Sequence, residues 1–402
     1  MEPCNVNSDV LFEIFSRVEL KTLRRCRLLS KECNSLTYES SFMRLYCQRT
    51  KTAAGFFIQS LKNSRYYSTF VSIDNPGFDS ELRLDFLPDR SVEILATVDQ
   101  GLMFCMSQSE NRYYICKPST RQWEIIPSPN SPSFSFTRKI GMMVLRSDPL
   151  RFKIVQLSDG EYKDSELDLD YSEPELDDYK RFHSEIFDSD SWAWKQLDDL
   201  MLSYNEFFNS KPAISAYNGL HWLTCNGDKN NILSFNQDKE SWELISLPDS
   251  LCGREHWYPV NLAEYEGKLA LIYMRRDIDS VEVWIMKDYY GEKLWSKRHS
   301  VNLTAFNKEV GHSSAVSFYN ADTLLMTGWY TAIFYNFKNG QFDRFELPLR
   351  HKYPESAYFV QTDYVPVQLR QPRKASSSIV TTPIFIVFLL FILFLICFIR
   401  DI

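Results

Sequence analysis

Residues 219–248 read GLHWLTCNGDKNNILSFNQDKESWELISLP and contain three short β-prone segments. The segments are Gly219–Leu223, Ile232–Asn236 and Ser241–Pro248, and each is rich in aromatic and aliphatic residues. The residues between them are polar turn formers, which is typical of antiparallel strands joined by short loops. This stretch therefore predicts a small meander of three strands that ends at a Leu-Pro pair.

The same pattern recurs along the chain, with a bulky aromatic residue near the end of each unit. These aromatics are Trp123, Trp194, Trp242, Trp295 and Phe342, at spacings of 71, 48, 53 and 47 residues. The longest spacing contains an acidic insert at 159–178, without which the period stays close to fifty. Such a period with about four strands per unit is typical of a kelch-like β-propeller. We expect the innermost strand of each unit to follow a glycine, and the aromatic to pack between neighbouring blades.

The N-terminal stretch has a different pattern. Residues 6–42, VNSDVLFEIFSRVELKTLRRCRLLSKECNSLTYESSF, predict three short helices with apolar residues at helical spacing. The first helix carries one apolar stripe, formed by Val10, Leu11, Ile14, Phe15 and Val18. About forty residues bury too little core to be stable alone. We therefore expect part of this apolar surface to contact a partner or the following domain.

The N-terminal stretch resembles an F-box, the module that docks a substrate receptor onto the Skp-type adaptor of a cullin-based ubiquitin ligase. The clearest matches are Asp9-Val10-Leu11, Glu13-Ile14-Phe15 and Lys21-Thr22-Leu23. The chain departs from the family where Val6-Asn7 replaces Leu-Pro, Glu19 and Ser40 replace prolines, and Cys33 replaces tryptophan. The resemblance implies adaptor binding by Val10, Leu11, Ile14, Phe15, Val18, Leu23, Leu29, Lys31 and Leu36.

The repeat region resembles the plant F-box-associated domain, a kelch-like propeller that often follows an F-box. The segments that match are Lys117–Trp123, Tyr217–Leu223 and Glu282–Tyr289, and the resemblance spans roughly residues 66 to 350. In that family these segments belong to the scaffold, and variable loops bind the target. The resemblance therefore implies a protein target without implying which residues bind it.

The C-terminal region predicts a membrane anchor. Residues 379–399, IVTTPIFIVFLLFILFLICFI, contain no charged side chain, and none occurs between Lys374 and Arg400. A helix of this length spans about 31 Å, which matches a hydrocarbon core of about 30 Å. Arg370, Arg373 and Lys374 precede the span, so the positive-inside rule keeps the N-terminal domains in the cytosol. We expect a tail-anchored, single-pass protein, with the endoplasmic reticulum favoured over the outer mitochondrial membrane.

The predicted fold class is mainly β: a kelch-like β-propeller preceded by a small α-helical F-box and followed by one transmembrane helix. The number of blades is not fixed by the sequence. The predicted boundaries are an F-box at 1–45, a linker helix at 46–65, a propeller at 66–368 with the insert at 159–178, a linker at 369–378 and a span at 379–399.

Composition argues against several classes of function. The net charge is −7, and ten acidic residues lie in the insert, so the remainder is nearly neutral and nucleic-acid binding is not expected. Nine cysteines include no C-x-x-C pair, which favours reduced thiols in the cytosol. Six dispersed histidines and the absence of phosphate-binding or nucleophile motifs predict no metal, no cofactor and no catalytic site.

The leading functional hypothesis is a non-catalytic substrate receptor of a Skp–cullin–F-box ubiquitin ligase. Its F-box would bind the adaptor, and its propeller would hold an unknown target protein. One alternative is a membrane-tethered propeller scaffold whose F-box is vestigial and has no ligase role. A second alternative is a kelch-type oxidase or lectin, which metal analysis of the purified protein would distinguish.

Overall fold

The computed structural model describes residues 7–73, 82–130, 138–159, 179–226, 229–251, 260–275, 277–311, 313–351, 354 and 356–370. Four helices come first, and we call them together the helical module. They are α1 (Ser8–Phe15), α2 (Leu20–Arg27), α3 (Lys31–Tyr38) and α4 (Ser40–Thr50). The three predicted helices are confirmed, and α4 directly follows them.

The linker helix predicted at 46–65 is wrong beyond Thr50. Lys51 adopts a left-handed conformation with φ of 53°, and β1 (Ala53–Lys62) begins two residues later. Seven consecutive residues of β1 from Ala54 to Ser60 are buried, so the strand lacks the polar alternation that distinguishes a strand from a buried helix. A Cβ atom at Gly55 would lie 2.3 Å from the carbonyl oxygen of Val71, which explains the glycine in this strand.

The β-strands from β1 to β25 form six sheets, which we number as blades 1 to 6. Blade 1 contains β1, β2 (Arg65–Val71) and β25 (Ser356–Thr362). Blade 2 is β3 (Val92–Val98), β4 (Leu102–Ser107), β5 (Arg112–Lys117) and β6 (Gln122–Ile126). Blade 3 is β7 (Arg138–Ser147), β8 (Leu150–Asp159), β9 (Tyr179–Asp188), β10 (Ala193–Gln196) and β11 (Leu200–Ser203).

The remaining blades repeat the same meander. Blade 4 is β12 (Glu206–Phe208), β13 (Ile214–Ala216), β14 (Gly219–Asn226), β15 (Lys229–Asn236) and β16 (Ser241–Ser246). Blade 5 is β17 (Val260–Tyr265), β18 (Lys268–Arg275), β19 (Ser280–Asp288) and β20 (Leu294–Asn302). After α5 (Thr304–Val310), blade 6 is β21 (Ser314–Phe318), β22 (Thr323–Gly328), β23 (Thr331–Asn336) and β24 (Phe342–Glu346). The final strand is β25 (Ser356–Thr362).

The two ends of the propeller close the ring in one sheet. The order in blade 1 is β2-β1-β25, so the last strand of the propeller pairs with its first. The register runs from Ala53 opposite Thr362 to Gln59 opposite Ser356. Each of the other five sheets is built from consecutive strands. The described residues therefore form a mainly-β propeller, as the fifty-residue period predicted, and the structure shows that it has six blades.

The repeated aromatics lie where the sequence pattern placed them, on the outermost strands of blades 2 to 6. Trp194 of blade 3 donates a hydrogen bond from its indole nitrogen to the carbonyl oxygen of Pro127, at 2.6 Å. Trp295 of blade 5 donates in the same way to Ser246 of blade 4, at 3.3 Å. These two residues confirm that the aromatic packs against the preceding blade.

The position of the innermost strand was predicted wrongly. The strands that follow Gly101, Gly219 and Gly267 are the second strands of their blades, namely β4, β14 and β18. The innermost strands come before these glycines, for example β3 before Gly101 and β17 before Gly267. Gly101 and Gly267 have φ of 71° and 76°, so these glycines serve the turn between the first and second strands.

Candidate functional site

The helical module has its own small core. Its buried residues are Phe15, Leu20, Leu23, Cys33, Phe42 and Tyr46. Phe42 lies between two aromatic neighbours, with ring centroids 5.3 Å from Phe12 and 5.8 Å from Tyr46. Because the aromatics come from α1 and α4, this core holds the first and last helices of the module together. Cys33, which stands where the family has tryptophan, lies in this interior and not on the outer surface of the module.

An ion pair reinforces the same contact. Arg49 of α4 lies 2.6 Å from a carboxylate oxygen of Glu13 on α1, and Arg17 also contacts Glu13 from the next turn. The hydrogen bond from Arg49 lowers the pKa of Glu13 below its ordinary value. Both charges are partly exposed, so this pair fixes the orientation of α1 more than it adds to stability.

The nine residues predicted to bind the adaptor divide into three groups. Phe15 and Leu23 are buried in the core of the module, so they position the surface and are not part of it. Leu11, Val18 and Leu36 are half-buried and pack against that core. The exposed members are Val10 (48% exposed), Ile14 (52%), Leu29 (71%) and Lys31.

Sequence reasoning missed Leu28, which is the most exposed of the large apolar residues of the module, at 86%. α2 ends at Arg27, so Leu28 and Leu29 lie in the connection to α3. Two adjacent leucines in such a short connection are the signal that could have identified this site. Together, Val10, Ile14, Leu28 and Leu29 give the module exposed apolar side chains suited to contact with another protein.

The charge of the module is uneven. α2 carries four basic residues and no acidic one, namely Lys21, Arg24, Arg25 and Arg27. Lys21, Arg25 and Lys31 are exposed close to Leu28 and Leu29 in the chain. A partner with an apolar surface and neighbouring acidic side chains would therefore be complementary to this module.

The module is held against one end of the propeller. The side chain of Asn34 donates a hydrogen bond to the carbonyl oxygen of Glu266 at 3.0 Å. The backbone N–H of Ala321 donates to the carbonyl oxygen of Tyr38 at 2.9 Å. Glu266 and Ala321 lie in the turns between the first and second strands of blades 5 and 6. Because consecutive strands are antiparallel, all such turns lie at the same end of the ring, which we call the module face.

α4 continues this contact into the propeller core. Ser40 donates to Asn320 at 3.2 Å or to Asp322 at 3.3 Å, so the residue that replaces a family proline forms part of the junction. Met43 and Cys47 are buried in one cluster with strands β1, β22 and β23. The module and the propeller therefore belong to one compact unit that includes residues up to Leu369.

The opposite end of the ring, which we call the distal face, carries an open cleft of about 510 Å³. Its walls include Arg275 and Ser280 from the second-to-third turn of blade 5, and Trp329 from that of blade 6. Both ends of the acidic insert attach to the same face, because β8 ends at Asp159 and β9 begins at Tyr179. Residues 160–178 lie outside the described part of the chain.

The segments that resemble the F-box-associated domain contact one another inside the propeller. The ring of His221 lies 2.8 Å from the hydroxyl of Tyr289, and Ser234 lies 2.8 Å from the same hydroxyl. Tyr217 stacks on Tyr289 with centroids 4.3 Å apart. Burial lowers the pKa of His221 to about 4, so the imidazole is neutral and bridges blades 4 and 5.

The third segment fastens the end of the propeller. Lys117 is buried, and its ammonium group lies 2.5 Å from Asp363 and 2.6 Å from the carbonyl oxygen of Val365. Gln122 exchanges two hydrogen bonds with the backbone of Val367, at 3.0 Å each. Burial lowers the pKa of Lys117 below its ordinary value, against the effect of Asp363. These segments are therefore scaffold, as their resemblance implied.

The comparisons with known proteins agree with this architecture. The family described as the F-box associated beta propeller domain matches residues 58–366, and the F-box domain matches residues 4–45. The chain belongs to the plant F-box proteins with an F-box-associated β-propeller. The F-box match ends within α4 of the helical module, and the propeller match begins within β1 and extends past β25.

Three relatives of this F-box protein come from Arabidopsis thaliana. F-box protein At5g41720 is 37% identical over 162 residues, which cover 38% of this chain and 85% of the relative. F-box protein At5g49610 is 28% identical and covers 73% of this chain and 78% of its own length. F-box protein CPR1 is 26% identical, with 73% of this chain and 72% of the relative covered.

The predicted membrane anchor remains a prediction. None of the helices in the described part of this F-box protein is long and apolar enough to cross a membrane. The predicted span at 379–399 and all but the first two residues of the predicted linker at 369–378 lie outside the described residues.

Proposed function

We propose that this F-box protein is the substrate-recognition subunit of a Skp–cullin–F-box ubiquitin ligase. The F-box binds a Skp-type adaptor through Val10, Ile14, Leu28 and Leu29, flanked by the basic side chains of α2. The distal face of the propeller holds the target protein. The protein is not itself an enzyme, since its role is to bring the target close to chemistry performed by other subunits.

The observation that supports this proposal most directly is the rigid junction between the module and the propeller. The exposed leucines of the module remain available while α3 and α4 are fixed to the module face. A receptor that presents a target to a second protein needs such a fixed relation between its two binding surfaces.

The alternative of a vestigial F-box rested on the missing Leu-Pro and the missing tryptophan. The tryptophan position, Cys33, can be assessed in the structure, and so can the replaced proline at Ser40, whereas Val6 of the Leu-Pro position lies outside the described residues. Cys33 is buried inside the module, and Ser40 bonds to the propeller, so neither substitution removes an exposed contact for the adaptor. These two departures serve the interior of this protein and leave the outer apolar surface in place.

Substituting Ile14 tests adaptor binding. We expect Ile14→Asp to weaken binding of the full chain to a purified Skp-type adaptor by at least about 30-fold, because a carboxylate would be buried in an apolar contact. Since Ile14 is half exposed, the thermal midpoint should remain close to that of the wild type. The measurement is calorimetric titration together with thermal unfolding.

The matched control is Leu294→Asp, which changes an equally exposed leucine on the outer strand of blade 5. Adaptor affinity should be unaffected by this control. If wild-type protein fails to bind the adaptor at micromolar concentrations, the ligase proposal is wrong. If Ile14→Asp binds as tightly as wild type, the assignment of α1 to the adaptor interface is wrong.

We also propose that residues 379–399 anchor the protein in a membrane with residues 1–378 in the cytosol. The support is the uncharged run of twenty-one residues and the basic residues that precede it. In microsomes, we expect the full chain to resist carbonate extraction while added protease degrades the propeller. Extraction into the soluble fraction, or a propeller protected from protease, would contradict the anchor.

A further inference from the structure

The cleft on the distal face contains polar atoms that the protein leaves without partners. Ser280 Oγ, Asn307 Oδ1 and Ser313 Oγ are all buried, and none has a hydrogen-bond partner among the described residues. All three residues line this one cleft. Ser280 is 94% buried as a residue, at 6% exposed, although no described residue bonds to its hydroxyl. Buried polar groups are normally paired, so these atoms indicate a ligand that completes them.

The unpaired atoms specify the chemistry of that ligand. Asn307, which lines the cleft, donates from its amide nitrogen to Asp279 at 2.9 Å, and this leaves its buried oxygen as an acceptor without a partner among the described residues. An acceptor needs a donor on the ligand, whereas a serine hydroxyl can donate to an oxygen on the ligand. A group that carries both a donor and an acceptor therefore satisfies this set.

The charges of the cleft disfavour an anionic ligand. Arg275 is paired with Asp277 at 2.8 Å, and Asp279 lies beside Asn307. A carboxylate would place its oxygens near Asn307 Oδ1 and Asp279 without offering a hydrogen to either. Lys211 adds one cation at the edge of the cleft, but it does not remove this mismatch.

Apolar side chains complete the walls. Met274, Leu303 and Val316 line the cleft, and Trp329 stands at its rim with 61% of its surface exposed. An indole of this kind offers a large rigid surface to a neighbouring apolar side chain of a ligand.

We propose that the distal cleft binds a carboxamide side chain, Asn or Gln, within an extended peptide segment of the target protein. The carboxamide NH₂ donates to Asn307, and its oxygen accepts from Ser280 or Ser313. A neighbouring apolar side chain of the peptide lies on Trp329. This inference rests on the proposed function, because it assumes that the propeller binds a protein target.

The test begins with random peptides displayed on phage and selected against the full chain in detergent. Enriched peptides should share an Asn or Gln next to an apolar residue, and changing that residue to Leu should weaken binding about tenfold. Enrichment without Asn or Gln, or with Asp or Glu in that place, overturns the proposal.

Variants of the protein then locate the site. Ser280→Ala and Ser313→Ala should each raise the dissociation constant of an enriched peptide about three- to tenfold, as expected for one lost hydrogen bond. Neither should lower the thermal midpoint, because neither hydroxyl has a partner within the described protein. The matched control is Ser184→Ala in blade 3, another buried unpaired hydroxyl that does not line the cleft, and it should change neither quantity.

Unchanged peptide affinity in both cleft variants would overturn the assignment. Binding of the Skp-type adaptor is measured on the same samples. Loss of peptide selectivity with normal adaptor binding contradicts only this inference. Failure to bind the adaptor contradicts the ligase proposal. The peptide affinities of the cleft variants then still decide whether the cleft binds a carboxamide.

Discussion

A chain that ends at Pro354 is expected to be unfolded, whereas a chain that ends at Leu369 is expected to be as stable as the full protein. The shorter chain lacks β25, so β1 loses its partner along seven residue pairs and becomes an unprotected edge. It also loses the buried side chains of Tyr358 and Val360. Burial of such side chains is worth about 1.5–3 kcal/mol each, out of a typical total of about 5–15 kcal/mol.

Thermal unfolding and binding of a hydrophobic dye measure this effect. The chain ending at Leu369 keeps β25 and the contacts of Asp363, Val365 and Val367 with blade 2. It is therefore the matched control. A cooperative transition at the wild-type temperature in the chain ending at Pro354 would show that closure by β25 is not required.

The stability of the protein is expected to fall steeply in mild acid because of His221. Burial lowers the pKa of His221 from 6.5 to about 4. Between these pH values the unfolded protein binds a proton at His221 and the folded protein does not. The stabilising contribution is therefore fully present above pH 6.5 and is lost as the pH falls towards 4. At 1.36 kcal/mol per unit, His221 alone accounts for a loss of about 2 kcal/mol by pH 5 and about 3 kcal/mol by pH 4.

Urea unfolding at pH 7, pH 6 and pH 5 measures this dependence. His221→Gln should be less stable than wild type at pH 7, because the bridge to Tyr289 and Ile214 is disturbed, and should lose less stability on acidification. The pKa of His351 is also lowered to about 4 by burial, so part of the dependence should persist in the variant. An identical pH dependence in wild type and variant would contradict the role of His221.

The blade architecture could be predicted because its signals are local. An aromatic such as Trp242 or Trp295 recurs on the outer strand, where it packs against the previous blade, and this requirement repeats with each unit. The innermost strands were misplaced because glycines such as Gly101 and Gly267 serve a turn inside the blade and do not mark the start of a blade. β1 was missed because burial of both its faces removes the alternation by which strands are identified.

The binding surfaces were only partly predictable. Helical spacing located the apolar stripe of α1, but spacing alone does not tell Phe15, which points inward, from Ile14, which points outward. That distinction depends on where Phe42 and Tyr46 of α4 pack. The distal cleft was beyond sequence reasoning, because Ser280, Asn307 and Trp329 converge only when two blades stand side by side.

The pairing of β1 with β25 also determines when the propeller can close during synthesis of the protein. Nearly 300 residues separate these strands, so at about 5–20 residues per second β1 leaves the ribosome about 15–60 s before its partner. During that interval, the row of backbone groups that β25 will cover is open to other nascent chains. We infer that the newly made protein depends on chaperones until β25 emerges, and that the contact between Gln361 and Met43 of the helical module forms only at that moment.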